Sequence, residues 1–376
     1  MNSRPPQGRR SPTGRAVSGS LLLSPTLRLS VSVGIVSLAS LVVIGAGTGA
    51  STEDAAPDTI ELSDGLPQVL TETTIAVERR TVLVSDPANA AIVEVIAGGD
   101  VEVASIIPPG ENGHTYEPVP GDAIRASRID LYIENGMGLN DAVTKFVRTH
   151  YPAGTPEVRL SAVIPEDEVI ATDSAEDIAA HGHAHSFNAH FWTDPVYAIA
   201  YARQIGTALA QLEPSRAADF ASRTEAFVAR LQVLDDAFRR AIGSIPEARR
   251  KLVVYHDSWS YFGRRYGIPV VGAIQPVSFS EPSADEIRRM IDQIRDEAVP
   301  AFFGSEVFPS QVLDAVARET GAQYFSDLSD EELPGEPGTP EHSYEGMMLR
   351  NVRLITTALG GDPSVLDGIL PLGLAS

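Results

Sequence analysis

Residues 81–107 read TVLVSDPANAAIVEVIAGGDVEVASII. TVLVS (81–85) has strand composition, PANAAIVEVIAGG (87–99) reads as a helix closed by glycine, and VEVASII (101–107) reads as a second strand. IDLYIEN (129–135) is a third. This strand–helix–strand alternation predicts a parallel sheet covered by helices. Further along, Asp194-Pro195 is a helix cap followed by proline at the first helical position, opening VYAIAYARQIGTALAQL. Residues 214–245 then predict one long amphipathic helix, with Phe220, Phe227, Leu231, Leu234 and Phe238 on a single stripe. The alternation resumes in KLVVYH (251–256), IPVVGAI (268–274) and PAFFGSE (300–306). A capping box, Ser283 with Glu286, opens a helix among them, and SQVLDAVARETG and YEGMMLRNVRLITTALGG predict two closing helices. The expected layout is therefore α/β, long helix, α/β.

The chain has 376 residues with 43% hydrophobic content, enough for two domains with substantial cores. Its formal charge is −21, and residues 1–50 hold five arginines and no acid, which leaves −26 for the rest. So acidic a body argues against binding nucleic acid or an anionic lipid surface. Residues 1–50 follow the layout of a secretory signal: an Arg-bearing stretch, the apolar run Val31–Gly47, then small residues up to Ala50. Cleavage is expected near Ala50, with an uncleaved anchor as the alternative. There is no cysteine, hence no disulfide and no lipid-modified cysteine. Residues 51–78 read as a flexible acidic leader. The expected boundaries are 79–213 and 246–376 for the two α/β domains, with the helix 214–245 between them.

Eight histidines carry the candidate chemistry. His114 follows a predicted strand in GENGHTYEP, His256 ends one in VVYHDSW, and His190 sits in NAHFWTDP just before a helix cap. A carboxylate-rich loop, SDLSDEELPG, follows the predicted strand AQYF. Loops leaving the carboxyl ends of parallel strands form the ligand crevice of such sheets. Three imidazoles and one carboxylate make a normal tetrahedral zinc set. A zinc enzyme would need an open coordination position and a base such as Glu306 or Asp257. The chain contains neither HExxH nor a Gly-x-Ser-x-Gly elbow.

The series GENGHTYEP, DLYIENGMGLN, NAHFWTDP, VVYHDSWSYFGRRYGIPVVG, FGSEVFPSQVLDAVARETG and SYEGMMLRNVRLITTALGG resembles the zinc/manganese solute-binding proteins of bacterial ABC importers, in order over about 80–361. The resemblance implies two α/β domains joined by one long helix, with the metal in the cleft between them. It implies His114, His190 and His256 as ligands, and an acidic residue of the last loop as the fourth. Members with histidine at the third position look like zinc binders, whereas manganese members carry a carboxylate there. Imidazole-rich sites also favour zinc over manganese chemically. Asp330 is the expected fourth ligand, because the family's last loop is usually shorter, with Asp327 as the alternative. The resemblance further implies delivery of Zn2+, or less favourably Mn2+, to a membrane permease by a monomer that is not an enzyme. A surface adhesin is a further role that some members suggest.

Other residues have secondary readings. His181, His183 and His185 form a short His-bearing loop that could collect zinc. Tyr116 and Trp192 are expected to pack or wall the site. Glu117, Asp257 and Glu306 are candidates to orient the ligand imidazoles.

Overall fold

Both strand faces are apolar where the alternation is strongest, and this decides the layering. In β1 (Thr81–Val84), Val82 and Val84 join the largest apolar cluster, while Leu83 joins a second cluster on the opposite face with Ile106, Ile107, Tyr132 and Val143. In β5 (Leu252–Val254), Leu252 and Val254 face the main cluster and Val253 faces a third, with Met290, Ile294 and Phe302. Side chains alternate along a strand, so a strand buried on both faces reads as a continuous apolar run.

The structure, a computed structural model, describes residues 79–172, 187–273, 283–305 and 311–371, within one compact unit, Thr74–Ser376. The expected signal and leader, the His181–His185 loop and Glu306 lie outside the described residues. Among the described residues there are two four-stranded parallel sheets. The first contains β1, β2 (Glu102–Ser105), β3 (Leu131–Glu134) and β4 (Glu157–Arg159), in the order β2-β1-β3-β4. The second contains β5, β6 (Val270–Ala273), β7 (Ala301–Ser305) and β8 (Gln323–Leu328), in the order β6-β5-β7-β8. The two orders are the same topology repeated. Several strands are shorter than the apolar runs suggest. β2 stops at Ser105 and β5 at Val254, so His114 and His256 stand on the loops beyond.

Helix α1 (Pro87–Ala97) is capped by Asp86, whose carboxylate accepts from Asn89 N at 2.9 Å, and it ends at Gly98 with φ 56°. A Cβ at Gly98 would also meet the Arg223 side chain at 2.7 Å. Two short helices, α2 (Pro120–Ala126) and α3 (Asp141–His150), cover the first sheet. Helix α4 (Pro195–Leu212) starts at the Asp194 cap, and α5 (Ala217–Gly243) follows it. Phe220, Phe227, Leu231, Leu234 and Phe238 of α5 are all buried. The stripe packs α5 against α4, α1 and the last long helix, here α9 (Tyr344–Ala358). Between them run α6 (Ser260–Tyr266), α7 (Ala284–Asp296) and α8 (Gln311–Thr320). The main cluster thus passes without a break from β1 through α5 to β5 and β7. Among the described residues, no helix is long and apolar enough to cross a membrane.

Candidate metal centre

Asn112 shapes the loop after β2. Its Oδ1 accepts from the backbone N–H groups of His114 (2.9 Å) and Thr115 (3.1 Å), a local turn that sets the direction of His114. His190 leads into a single helical turn, Phe191–Thr193, that runs into the Asp194 cap. His256 lies two residues past the end of β5. The rings meet through their Nε2 atoms. His190 Nε2 is 3.1 Å from His114 Nε2 and 3.3 Å from His256 Nε2, and the three donors lie within 4.8 Å of one another.

A carboxylate closes the group, and it belongs to Glu331. Its Oε1 is 3.0 Å from His114 Nε2 and 3.9 Å from His190 Nε2. Asp330, the residue expected there, is also buried, but it lines a small cavity with His256 and Ser258. Its backbone carbonyl accepts from Trp192 Nε1 at 2.7 Å. Asp327 points elsewhere, to Arg350 Nη2 at 2.8 Å. Glu332 reaches back across the site to Gly110 N at 2.5 Å. The run Asp330–Glu332 therefore ties the second half of the chain to the His114 loop of the first.

Burial pushes the His190 imidazole down to about 4, so the ring is neutral at physiological pH with a lone pair available. Its protonated nitrogen is identifiable. Nδ1 lies 3.1 Å from Asn188 Oδ1, and Asn188 Nδ2 donates to the Asp257 carbonyl at 2.6 Å. The amide orientation makes Oδ1 the acceptor, so His190 Nδ1 carries the proton and Nε2 is left for a ligand. Burial would raise the Glu331 carboxyl, but hydrogen bonding to the His114 ring at 3.0 Å outweighs it and holds the carboxyl well below the usual carboxylate range. Burial and the neighbouring Glu331 charge push Asp330 the other way, upward.

Ring nitrogens aimed at one point, with an ionised carboxylate beside them, form a site that a cation relieves. Tetrahedral zinc with bonds of 2.0–2.1 Å separates its nitrogen donors by about 3.3–3.4 Å, near the 3.1 and 3.3 Å from His190 to the other two rings. Trp192 walls the site, its ring centroid 5.1 Å from that of His190. Tyr116 packs against the apolar cluster of Leu83, Ile106 and Tyr132 and donates to Asp122 at 2.7 Å. Glu117 is exposed. The Asp257 carboxylate accepts from Ser260 Oγ at 2.7 Å, so it is the Asp257 carbonyl, through Asn188, that reaches a ligand ring. Sequence reasoning did not single out Asn188 and put Asp330 ahead of its neighbour Glu331. The NAHFWTDP stretch held the first, and the acidic run held the second beside Asp330, which loop length favoured.

Residues 82–358 match the family described as ZnuA, zinc-uptake complex component A, periplasmic. The chain belongs to this family. It is made of substrate-binding proteins of ABC transporters, not enzymes, and it serves metal uptake outside the cytoplasm. Three relatives show its spread. The zinc-binding protein TroA of Treponema pallidum is 29% identical over 276 residues, covering 71% of this chain and 84% of that protein. The iron-binding protein YfeA of Yersinia pestis is 28% identical over 340 residues, covering 90% and 98%. The manganese-binding lipoprotein MntA of Halalkalibacterium halodurans is 26% identical over 268 residues, covering 71% and 84%. The solved structure of the Treponema pallidum periplasmic zinc-binding protein TroA superposes with a TM-score of 0.66 at 27% identity, covering 75% of this chain and 99% of that one. The fold of two α/β domains is thus that of the family, and the family binds zinc, manganese or iron according to member.

Proposed function

We propose that this chain captures Zn2+ outside the cytoplasm through His114, His190, His256 and Glu331, and hands it to the permease of an ABC importer. The carrying observation is the approach of three imidazole Nε2 atoms within 4.8 Å of one another, with the Glu331 carboxylate against two of them. Imidazole suits zinc, whereas carboxylate, carbonyl and water donors suit manganese. The zinc-binding relative TroA supports the same choice. Glu331 replaces the expected Asp330 in this reading, because Asp330 is turned toward Ser258.

A second reading, a manganese carrier, is supported by the manganese-binding relative MntA, and the site's carboxylate is compatible with it. Metal analysis of protein purified without chelator, followed by melting curves with added Zn2+ and Mn2+, tests both. Zinc binding to the native state alone raises the melting temperature by linkage. Melting that zinc leaves unmoved at neutral pH refutes the proposal, and a larger shift with manganese favours the second reading.

A further inference from the structure

Glu331 has two oxygens, and they do different things. Oε1 faces the imidazoles, 3.0 Å from His114 Nε2. Oε2 accepts the backbone N–H of Gly113 at 2.8 Å. The Gly113 peptide is itself fixed, because its carbonyl accepts from Asn140 Nδ2 at 2.9 Å. A side chain at 113 would break this arrangement. A Cβ there would stand 2.7 Å from Glu331 Oε2, 3.3 Å from its Cδ and 3.1 Å from Asn140 Nδ2. Gly113 is not among the glycines with positive φ, so its backbone would accept alanine. What the absent Cβ allows is the close approach of one carboxylate oxygen to one N–H.

We infer that Gly113 acts as a positioning residue that makes Glu331 a one-oxygen donor, and so selects zinc over manganese. The inference rests on the proposed metal site and deepens it. With Oε2 held by the Gly113 N–H, a cation at the imidazoles meets three nitrogens and one oxygen, the four-donor tetrahedral set that zinc takes. Manganese favours octahedral surroundings rich in oxygen, so it gains from a second carboxylate oxygen that this clamp withholds. A freed carboxylate can turn both oxygens to the metal, which raises the donor number and narrows the preference. The carboxylate is buried, so solvent does not offer Oε2 a competing donor as it would on a surface.

The test is Gly113→Ala in the mature protein, with Zn2+, Mn2+ and Co2+ each titrated alone. The clashes fall on the ends of two flexible side chains, so the variant is expected to fold, as circular dichroism will verify. A hydrogen bond to a charged group is at stake, and the zinc-over-manganese affinity ratio should fall by about tenfold. Bound Co2+ should change from the intense visible absorption of four-coordination to the weak bands of higher coordination. Glu331→Asp provides the second variant, because its shorter side chain cannot span Gly113 N and the imidazoles together. It should lose the same spectrum. An unchanged ratio and an unchanged Co2+ spectrum in Gly113→Ala, or in Glu331→Asp should Gly113→Ala not fold, overturn the inference. Failure of the proposed site is a separate result: the wild-type protein would then bind no zinc at all.

Discussion

The two halves of the molecule share one strand order but supply different donors. β2-β1-β3-β4 and β6-β5-β7-β8 are the same parallel arrangement, and in both the candidate residues stand beyond strand ends or just before a helix. The first half brings two imidazoles, His114 and His190. The second brings one imidazole, His256, together with the acidic run Asp330–Glu332. The repeated scaffold fixes where a ligand binds, and the loops fix what it is. Among the described residues, the carboxylate pressed against the rings comes from the second half, so the two halves should respond unequally when a donor is removed.

The largest effect is expected from the charged side. Glu331→Ala leaves the imidazoles facing a cation without compensating charge. Removing one member of a buried charged pair costs about 3–5 kcal/mol, so zinc affinity should fall more than about a hundredfold. His190→Ala, on the neutral side, should cost less. Zinc titration of both variants decides it, and a greater loss in His190→Ala would invert the comparison.

The next effect lies at a joint between the halves and needs no metal. Asp194 caps α4 in the first half, and Arg265 of α6 in the second lies 3.3 Å from it. Arg265 is shared with Asp235, which is held below the usual range, and burial pushes Asp194 up to about 6. The folded value lies above the unfolded one near 3.8, so this stability is fully present below about pH 4 and is lost as pH rises through 6. Between pH 4 and 7 the wild type should lose up to about 3 kcal/mol relative to Asp194→Asn. Denaturant unfolding of both proteins at several pH values measures this. A constant difference would mean that Arg265 keeps the carboxylate ionised and the joint is tighter than burial suggests.

Asn188 should give a smaller change. It holds the His190 tautomer through Nδ1 and reaches the other half through the Asp257 carbonyl. Partners of this kind are typically worth about 10–100-fold in metal affinity, so Asn188→Ala should weaken zinc binding by that factor. Calorimetry that finds no loss would show that the ring is aimed by packing against Trp192 instead.

The layers, the long helix and the three histidines were legible in the sequence for a physical reason. Strands buried on both faces leave continuous apolar runs, the α5 stripe keeps helical period, and a histidine between such elements stands out against its neighbours. Helix α2 was not legible, since seven residues give few turns to show a period. Asn188 was not singled out because asparagine near a cap is ordinary turn chemistry. The proposed acidic donor differs from the expected Asp330 for a more specific cause. The expected strand AQYF ends before Ser326, whereas β8 runs on to Leu328.

That extension carries the smallest prediction. Phe303 pairs with Phe325 and Ser305 with Leu328, so β8 fits one residue more than β7 across the same interval. A bulge of this kind redirects the side chains that follow, and every inside–outside assignment beyond it changes parity. Asp327 falls inside the bulged stretch and turns to Arg350, with 48% of its side chain exposed. Glu331 comes round to the imidazoles instead. An exposed ion pair contributes about 0–1 kcal/mol, so Asp327→Ala should leave zinc affinity almost unchanged and stability within that margin. Asp327→Ala and Glu331→Ala, titrated side by side, therefore read out the bulge. Should Asp327→Ala weaken zinc binding more, the bulge is absent when metal is bound, β8 ends earlier, and the negative donor comes from the start of the loop.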